Sequence, residues 1–174
     1  MNETIRVILQ RSSVRKYSSE PLNDQQMDAL KKVALASPSA KNRQPWHFSF
    51  ITQGEVIEKM EQIMANDTNQ DPYGSMKLFY KAPLVVVIST NSMEHMQLVD
   101  CGIAVENLAI AAKSMGLDSV IVGRPRHLSP EAMMQFTSLY QQPQGYEFAI
   151  AISIGYGAAG KEPHGWDYSK INVI

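Results

Sequence analysis

Apolar residues recur along this chain at spacings that predict a series of helices separated by strands. The clearest helical stripe consists of Met27, Leu30, Val33 and Ala34, with lysines on the opposite side. Asn23 precedes this stripe and Gln26 follows three residues later, which is the spacing of a helix capping box. The helix is predicted to end before Pro38, because the residue preceding a proline is disfavoured in the helical conformation.

The same reasoning assigns the other segments. Predicted helices cover residues 4–10, 55–65 and 129–139, and predicted strands cover residues 47–52, 84–90, 119–122 and 148–154. A loop is expected at 66–74 and a helical turn at 75–80. We find no internal repeat, low-complexity tract or long linker. The pattern predicts a mixed α+β protein with a small sheet, in one domain spanning residues 1–174.

The longest predicted helix runs from Ser92, its expected N-cap, to Gly116, its expected C-terminal stop. Its second half, residues 103–112, is apolar on nearly every side except at Glu106 and Asn107. A helix that is apolar all round is expected to be buried all round. The pattern therefore favours a central helix, or one shared with a second copy of the chain.

Composition narrows the class of protein. Of 174 residues, 44% are apolar and 19% are charged, which excludes disorder as the main state and allows a partner to cover part of the surface. The formal net charge of −1 argues against a general nucleic-acid binder. The N-terminal residues do not resemble a signal peptide, and no apolar stretch is long enough to span a bilayer. We therefore expect a cytoplasmic protein.

Common sequence motifs for cofactor and metal binding are absent from this chain or misleading. Residues 155–160 spell GxGxxG after a predicted strand, but only 14 residues follow, too few for the rest of a dinucleotide-binding unit. We interpret these glycines as allowing the chain to turn sharply past the sheet edge or a ligand. No metal-binding motif occurs, and the four histidines are scattered. The single cysteine, Cys101, is interpreted as a small buried apolar group.

Charge and hydrogen-bond donors concentrate near the N-terminus. Residues 6–43 contain eight basic and three acidic side chains, which indicates either a solvated basic face or a site for an anionic ligand. Residues 11–17, Arg-Ser-Ser-Val-Arg-Lys-Tyr, combine two arginines with two hydroxyls, a set suited to a phosphate. Such runs are also common in exposed loops. Residues 37–46, Ser-Pro-Ser-Ala-Lys-Asn-Arg-Gln-Pro-Trp, form a second donor-rich loop.

These two segments resemble the nitroreductase family of FMN enzymes. Residues 11–17 match its R-x-S-x-R/K-x-F/Y opening, and residues 38–48 match its P-S-x-x-N-x-Q-P-W-x-F motif. A valine-rich strand at 84–88, a D-x-G-x-x-x-x-N-L-x-x-A-A-x-x-x-G-L helix at 100–117 and a strand ending in Ile-Gly-Tyr at 156 follow in the family's order. The resemblance implies an α+β fold with a small, mainly antiparallel central sheet flanked by helices. It also implies a homodimer with the long helix at the interface.

The resemblance further implies which residues bind FMN. Arg11 and Ser13 would hold its phosphate and ribityl neighbourhood, with Ser12 contributing from the same turn. Arg15 would lie near N1 and O2 of the isoalloxazine, where positive charge stabilises the anionic reduced flavin. The other implied cofactor-binding residues are Pro38, Ser39, Ala40, Asn42, Gln44, Val122, Gly123 and Lys161.

These other residues have distinct implied positions. Residues 38–42 would reach the flavin across the dimer interface, the backbone of Val122 and Gly123 would approach N5, and Lys161 would meet the phosphate. Because the chemistry takes place on the flavin, no protein general acid, general base or metal is implied. The chain departs from many family members in lacking an inserted helical region before the long helix. Lys77 is a possible substitute for a family lysine, and His164 lies where a second C-terminal basic residue is missing.

The implied reaction is hydride transfer from NADH or NADPH to FMN, followed by reduction of a nitroaromatic, quinone or flavin. A specialised enzyme of the same family, such as a reductive dehalogenase or a flavin-cleaving enzyme, is an alternative. A non-catalytic FMN-binding protein would bind flavin that NAD(P)H does not reduce. A structural dimer without flavin would be colourless and refuse added FMN.

Overall fold

The computed structural model describes residues 1–67 and 78–174. Residues 68–74 of the expected loop and 75–77 of the expected helical turn, including Lys77, lie outside the described residues. The described end of that turn is not helical, since φ is +56° at Tyr80. In the described ranges the helices are α1 (Glu3–Gln10), α2 (Asp24–Leu35), α3 (Gly54–Asn66), α4 (His95–Ser114) and α5 (Pro130–Ser138), and the strands are β1 (Trp46–Ile51), β2 (Leu84–Thr90), β3 (Asp118–Val122) and β4 (Glu147–Gly155).

Two helices begin where their predicted caps lie. The Asn23 side chain accepts a hydrogen bond from the Gln26 N–H at 2.9 Å, and the Gln26 side chain accepts one from the Asn23 N–H at 3.0 Å. The predicted capping box of α2 is therefore confirmed. Ser129 caps α5 by accepting from the Ala132 N–H at 3.3 Å. Gly116, with φ of +76°, follows the end of α4 as expected of a C-terminal glycine.

The predicted start of α4 is wrong. The helix begins at His95 after Glu94, and it is 20 residues long. The Ser92 hydroxyl oxygen accepts the N–H of Glu94 at 3.3 Å, and the Thr90 hydroxyl donates to the Ser92 carbonyl at 3.0 Å. Ser92 therefore belongs to a short turn that closes the end of β2, so it does not cap the first turn of the helix.

The described strands form one antiparallel sheet in the order β1-β2-β4-β3. Strand β2 is buried along its whole length, because helices cover both faces of the sheet. Val85 and Val87 face the core layer that contains α3 and α5. Leu84, Val86 and Ile88 face the layer that contains α2 and α4. The continuous apolar run in β2 is thus explained by two cores that share one strand.

Helix α4 is buried on its sheet side and exposed on the other. Met96, Val99 and Ile103 are 50%, 39% and 38% exposed, and they form an apolar stripe along the outer side of the helix. Within one chain the expectation of burial all round is therefore not met. We refer to these three side chains as the α4 stripe. The apolar side chains Ile5 and Ile8 of α1, which packs beside α4, are also exposed.

Two of the three glycines of the misleading GxGxxG sequence lie in close packing at the end of β4. A Cβ on Gly155 would lie 2.5 Å from Pro83 Cδ, and a Cβ on Gly157 would lie 2.3 Å from Asp118 Oδ2. Such separations are far below van der Waals contact, so a larger residue at either position would force the Pro83 or Asp118 side chain to move. These two glycines are accounted for by packing within the chain.

Cys101 lies on the buried side of α4 and is 1% exposed. Burial raises the pKa of its thiol to about 11. We expect a thiol reagent such as DTNB to leave the folded protein unmodified at about pH 8, because burial blocks access and disfavours the thiolate. One thiol per chain should become reactive after unfolding in guanidinium chloride. Rapid labelling of the native protein would show that this side of α4 is open.

No helix in the described ranges combines the length and apolar composition needed to cross a membrane. The same residues contain no group of three or more His, Cys, Asp or Glu side chains that could hold a metal ion.

Candidate functional site

The donor-rich segment at 11–17 runs along β3, the last strand in the sheet order. Ser13 forms a parallel bridge with Ser119, and the Val14 N–H donates to the Ser119 carbonyl at 3.0 Å. The Tyr17 hydroxyl donates to the Val14 carbonyl at 2.7 Å, and burial is the main reason that the pKa of Tyr17 is raised. The segment is thus held as extended chain at the edge of the sheet.

Extended backbone alternates the directions of the side chains in this segment. Ser12 and Val14 are buried, while Ser13 is half-buried and Arg15 is exposed. The Ser12 hydroxyl donates to the carbonyl of Lys161 at 2.7 Å. This bond joins two predicted site residues that lie 149 positions apart.

Arg11 lies against the outer side of α4. Its Nε is 3.2 Å from Oε1 of Glu106, and about a quarter of the Arg11 side chain is exposed. The pairing orients the guanidinium but leaves other N–H groups of Arg11 for an anion. An anionic ligand at this position would share Arg11 with the carboxylate.

A cavity of about 620 Å³ brings three of the predicted site residues together. Arg15, Val122 and Gly123 contribute to its wall. Its other lining residues are Leu78, Tyr80, Val120, Ile121, Arg124 and His127. A cavity with apolar walls and a few cationic or aromatic side chains is suited to a planar organic ligand.

Gly123 has no packing reason to be glycine. A Cβ at this position would meet only Ile150 Cδ1, at an ordinary contact distance of 3.8 Å. Its φ of −101° is one that any residue adopts. The missing side chain instead leaves the backbone open to the cavity, as close approach by a ligand requires.

The chemistry of these side chains fits FMN. Arg11 and the Ser13 hydroxyl are donors suited to a phosphate. The single O–H of Ser12 is donated to the Lys161 carbonyl, so Ser12 anchors the segment that carries the Lys161 ammonium. Arg15 and the open backbone of Gly123 line a neighbouring space that a flat ring would suit. The donors required by the two ends of the cofactor are thus present.

The second motif forms a rigid loop at a different place. The Ala40 N–H donates to Oδ1 of Asp100 at 3.0 Å, and Asp100 is buried in α4. The Gln44 N–H donates to the Ser39 hydroxyl at 2.9 Å, and the Gln44 amide donates to Asn42 Oδ1 at 3.0 Å. These bonds hold a loop with positive φ at Asn42 and Gln44.

This loop, which includes the exposed Pro38, lies against one side of α4. The Asn107 amide donates to the Ser37 hydroxyl at 3.1 Å, and Asn107 follows Asp100 by seven residues, which places both on one helix face. Among the described residues, no hydrogen bond or ion pair joins the loop at 38–44 to residues 11–15. One chain therefore presents two separate groups of predicted site residues.

The sequence analysis did not identify every residue of these groups. Asp100 was recognised within a family motif but not as the anchor of the loop, and Glu106 was not recognised as the partner of Arg11. Tyr80 and His127 were not identified as cavity residues. The motif spacing around Asp100 could have indicated its position, whereas no sequence signal marked the other three.

Comparison with known proteins gives the class to which this fold and donor set belong. The model of the nitroreductase family matches residues 8–156. A relative from Archaeoglobus fulgidus, described provisionally as an NADH dehydrogenase or NAD(P)H nitroreductase, is 31% identical over 90% of this chain and 86% of its own. An NADPH-flavin oxidoreductase from Vibrio harveyi is 28% identical over 90% of this chain and 66% of its own.

Solved structures agree on the fold. A nitroreductase with bound FMN from Desulfitobacterium hafniense superposes with a TM-score of 0.89 at 29% identity, covering 100% of this chain and 99% of its own. A nitroreductase with bound FMN from Bacteroides fragilis gives a TM-score of 0.88 at 23% identity over the full length of both chains. This chain belongs to the nitroreductase family, and the predicted α+β fold with an antiparallel sheet is confirmed.

Proposed function

We propose that this protein catalyses hydride transfer from NADH or NADPH, with FMN as cofactor, to a nitroaromatic, quinone or flavin acceptor. The chain is an NAD(P)H-dependent FMN oxidoreductase of the nitroreductase family. Relatives named NADPH-flavin oxidoreductase and FMN reductase (NADPH) support the cofactor and the electron donor, and the acceptor is the finer part of the proposal. FMN, when bound, supplies the two-electron chemistry.

The residues around Ser12 support binding of the cofactor phosphate. In our proposal Arg11 and the Ser13 hydroxyl bind the phosphate end, and the Lys161 ammonium adds charge there. Ser12 contributes by holding the segment of Lys161 in place. The hydrogen bond from Ser12 to the Lys161 carbonyl supports this role, because it fixes the C-terminal segment beside the N-terminal donors. The observation that carries the proposal is that this donor group and the cavity of Arg15 and Gly123 adjoin along one short segment.

Arg15 and Gly123 have complementary roles in the proposal. The guanidinium of Arg15 provides positive charge on the cavity wall, which stabilises negative charge that develops on a bound ring. Gly123 would present backbone rather than a side chain to that ring, and Val122 lines the cavity beside it. The cavity would exclude water from part of a bound ring, which would strengthen these electrostatic interactions.

We also propose a cytoplasmic homodimer built from one nitroreductase-like domain spanning residues 1–174. The α4 stripe supports the dimer, because an exposed row of large apolar side chains is typical of an interface. The C-terminal segment supports it too, since Trp166, Ile171 and Val173 are all exposed. In such a dimer the loop at 38–44 of one subunit would complete the site of the other.

A turnover assay tests the reaction. The purified protein, supplied with FMN, should oxidise NADH or NADPH when 4-nitrobenzoate, 1,4-benzoquinone or free FMN is added as acceptor. Bound flavin that NAD(P)H reduces but that none of these acceptors reoxidises would contradict the proposed acceptor class and favour a specialised family enzyme. Bound flavin that NAD(P)H does not reduce would indicate a non-catalytic FMN-binding protein.

A further inference from the structure

Residues 79–82 form a tight turn with an unusual pair of central residues. The Ala82 N–H donates to the Phe79 carbonyl at 3.0 Å, and φ is +56° at Tyr80 and +55° at Lys81. Positive φ at both central positions is typical of type I′ turns, in which Asn and Gly are strongly favoured. A tyrosine and a lysine in this turn are therefore held against their backbone preferences.

The surrounding structure fixes this turn at both ends. Phe79 is fully buried, and its N–H donates to Oε1 of Glu61 at 3.0 Å. Glu61 lies on α3 and is itself only 3% exposed. Strand β2 begins two residues after Ala82, so the turn is also continuous with the centre of the sheet. The strained conformation is thus imposed by buried contacts on both sides.

The two strained residues differ in what they face. Tyr80 is half-buried and lines the cavity that also contains Arg15, Val122 and Gly123. Lys81 is exposed and does not line that cavity. Strained residues that persist in a fold are concentrated at functional sites, and here one of the pair contributes an aromatic ring to the proposed site.

We propose that Tyr80 is a specificity-determining residue that contacts the electron acceptor and favours planar aromatic compounds with nitro or quinone oxygens. This inference rests on the proposed function, because it places the acceptor in the cavity to which the cofactor ring is assigned. A phenol ring packs well against another flat ring, and its hydroxyl donates to an acceptor oxygen. His127, which lines the same cavity, offers a second polar group to such a substrate.

Matched asparagine variants test the role of Tyr80. Asparagine suits the positive-φ turn, so Tyr80→Asn and Lys81→Asn relieve the same strain, but only the first removes a ring from the cavity. We expect Tyr80→Asn to raise the KM for 4-nitrobenzoate and 1,4-benzoquinone about tenfold or more. Ferricyanide needs no flat binding surface, so it serves as the reference acceptor. The ratio of kcat/KM for each aromatic acceptor to kcat/KM for ferricyanide should also fall about tenfold or more. Lys81→Asn should match the wild type, and Tyr80→Phe should retain most of the preference.

The outcomes separate this inference from the proposed function. A wild-type protein that binds no FMN, or whose FMN is not reduced by NAD(P)H, would overturn both. An active wild type with an unchanged KM in Tyr80→Asn would overturn only the role of Tyr80. Equal losses with ferricyanide and the aromatic acceptors would identify a structural role and also overturn it. If Tyr80→Asn does not fold, Tyr80→Leu can replace it, because leucine removes the ring with less loss of apolar packing. If neither variant folds, Tyr80 is required for folding, and its proposed role in specificity is overturned.

Discussion

Replacing Arg11 or Arg15 with alanine is expected to weaken FMN binding about 10- to 100-fold for each change, since a hydrogen bond to a charged group contributes roughly 1.5–3 kcal/mol. Arg11 lies beside the hydroxyls of Ser12 and Ser13, and Arg15 lines the cavity with Gly123. The double variant should retain no FMN through purification. Titration of the quenching of FMN fluorescence would measure the dissociation constants.

Two controls show whether site geometry or overall charge causes the loss. Lys16→Ala removes the same unit of charge from an exposed neighbour of Arg15 that does not line the cavity, so its affinity should stay near the wild-type value. Glu106→Gln removes the carboxylate that competes for Arg11, so FMN should bind at least as tightly as in the wild type. Equal losses of FMN affinity in Lys16→Ala and Arg15→Ala would show that overall charge, and not the position of Arg15, causes the loss. Unchanged affinity in both arginine variants would refute the assignment.

Replacing Ile103 with glutamate is expected to convert the proposed homodimer into monomers and to remove bound FMN with it. Ile103 lies at the C-terminal end of the α4 stripe and near the middle of α4, where a partner subunit would bury it. An unpaired carboxylate in such an interface costs roughly 3–5 kcal/mol, which weakens association by more than about 100-fold. Sedimentation velocity would measure the oligomeric state, and flavin absorbance in the same cell would report retention of FMN.

The control for this variant is Met134→Glu on α5. Met134 is 67% exposed, and α5 lies on the opposite face of the sheet from α4. Met134→Glu makes the same change from an apolar to an acidic side chain, but we expect this variant to remain a dimer that binds FMN. A wild-type protein that is monomeric at micromolar concentration would contradict the proposed assembly. A dimeric Ile103→Glu variant would place the interface elsewhere.

Local interactions made part of the fold predictable from the sequence. The capping box at Asn23 and the glycine stop at Gly116 depend on residues only a few positions apart, so their patterns fixed the ends of α2 and α4. The predicted start of α4 was wrong because two local interactions compete for the same residue. Ser92 had two possible uses, and its contacts with Thr90 at the end of β2 prevailed over helix capping.

The site was less predictable because its contacts join distant parts of the chain. Motif spacing identified Arg15 and Gly123, which line one cavity, but it could not reveal the hydrogen bond between Ser12 and Lys161. The ion pair between Arg11 and Glu106 depends on how α4 packs against the N-terminal segment. The turn at Tyr80 was hidden for a different reason, since it contains neither the glycine nor the asparagine that normally marks positive φ.

The most direct test of the account is anaerobic reduction of the protein-bound cofactor. The protein should be mixed with excess FMN, freed of unbound flavin and titrated with NADH or NADPH while the visible flavin absorbance is recorded. We predict that the protein retains FMN and that at least one nicotinamide bleaches the absorbance fully. A protein that emerges colourless after this loading, or whose bound flavin neither nicotinamide bleaches, would contradict an NAD(P)H-dependent flavin site built from these residues.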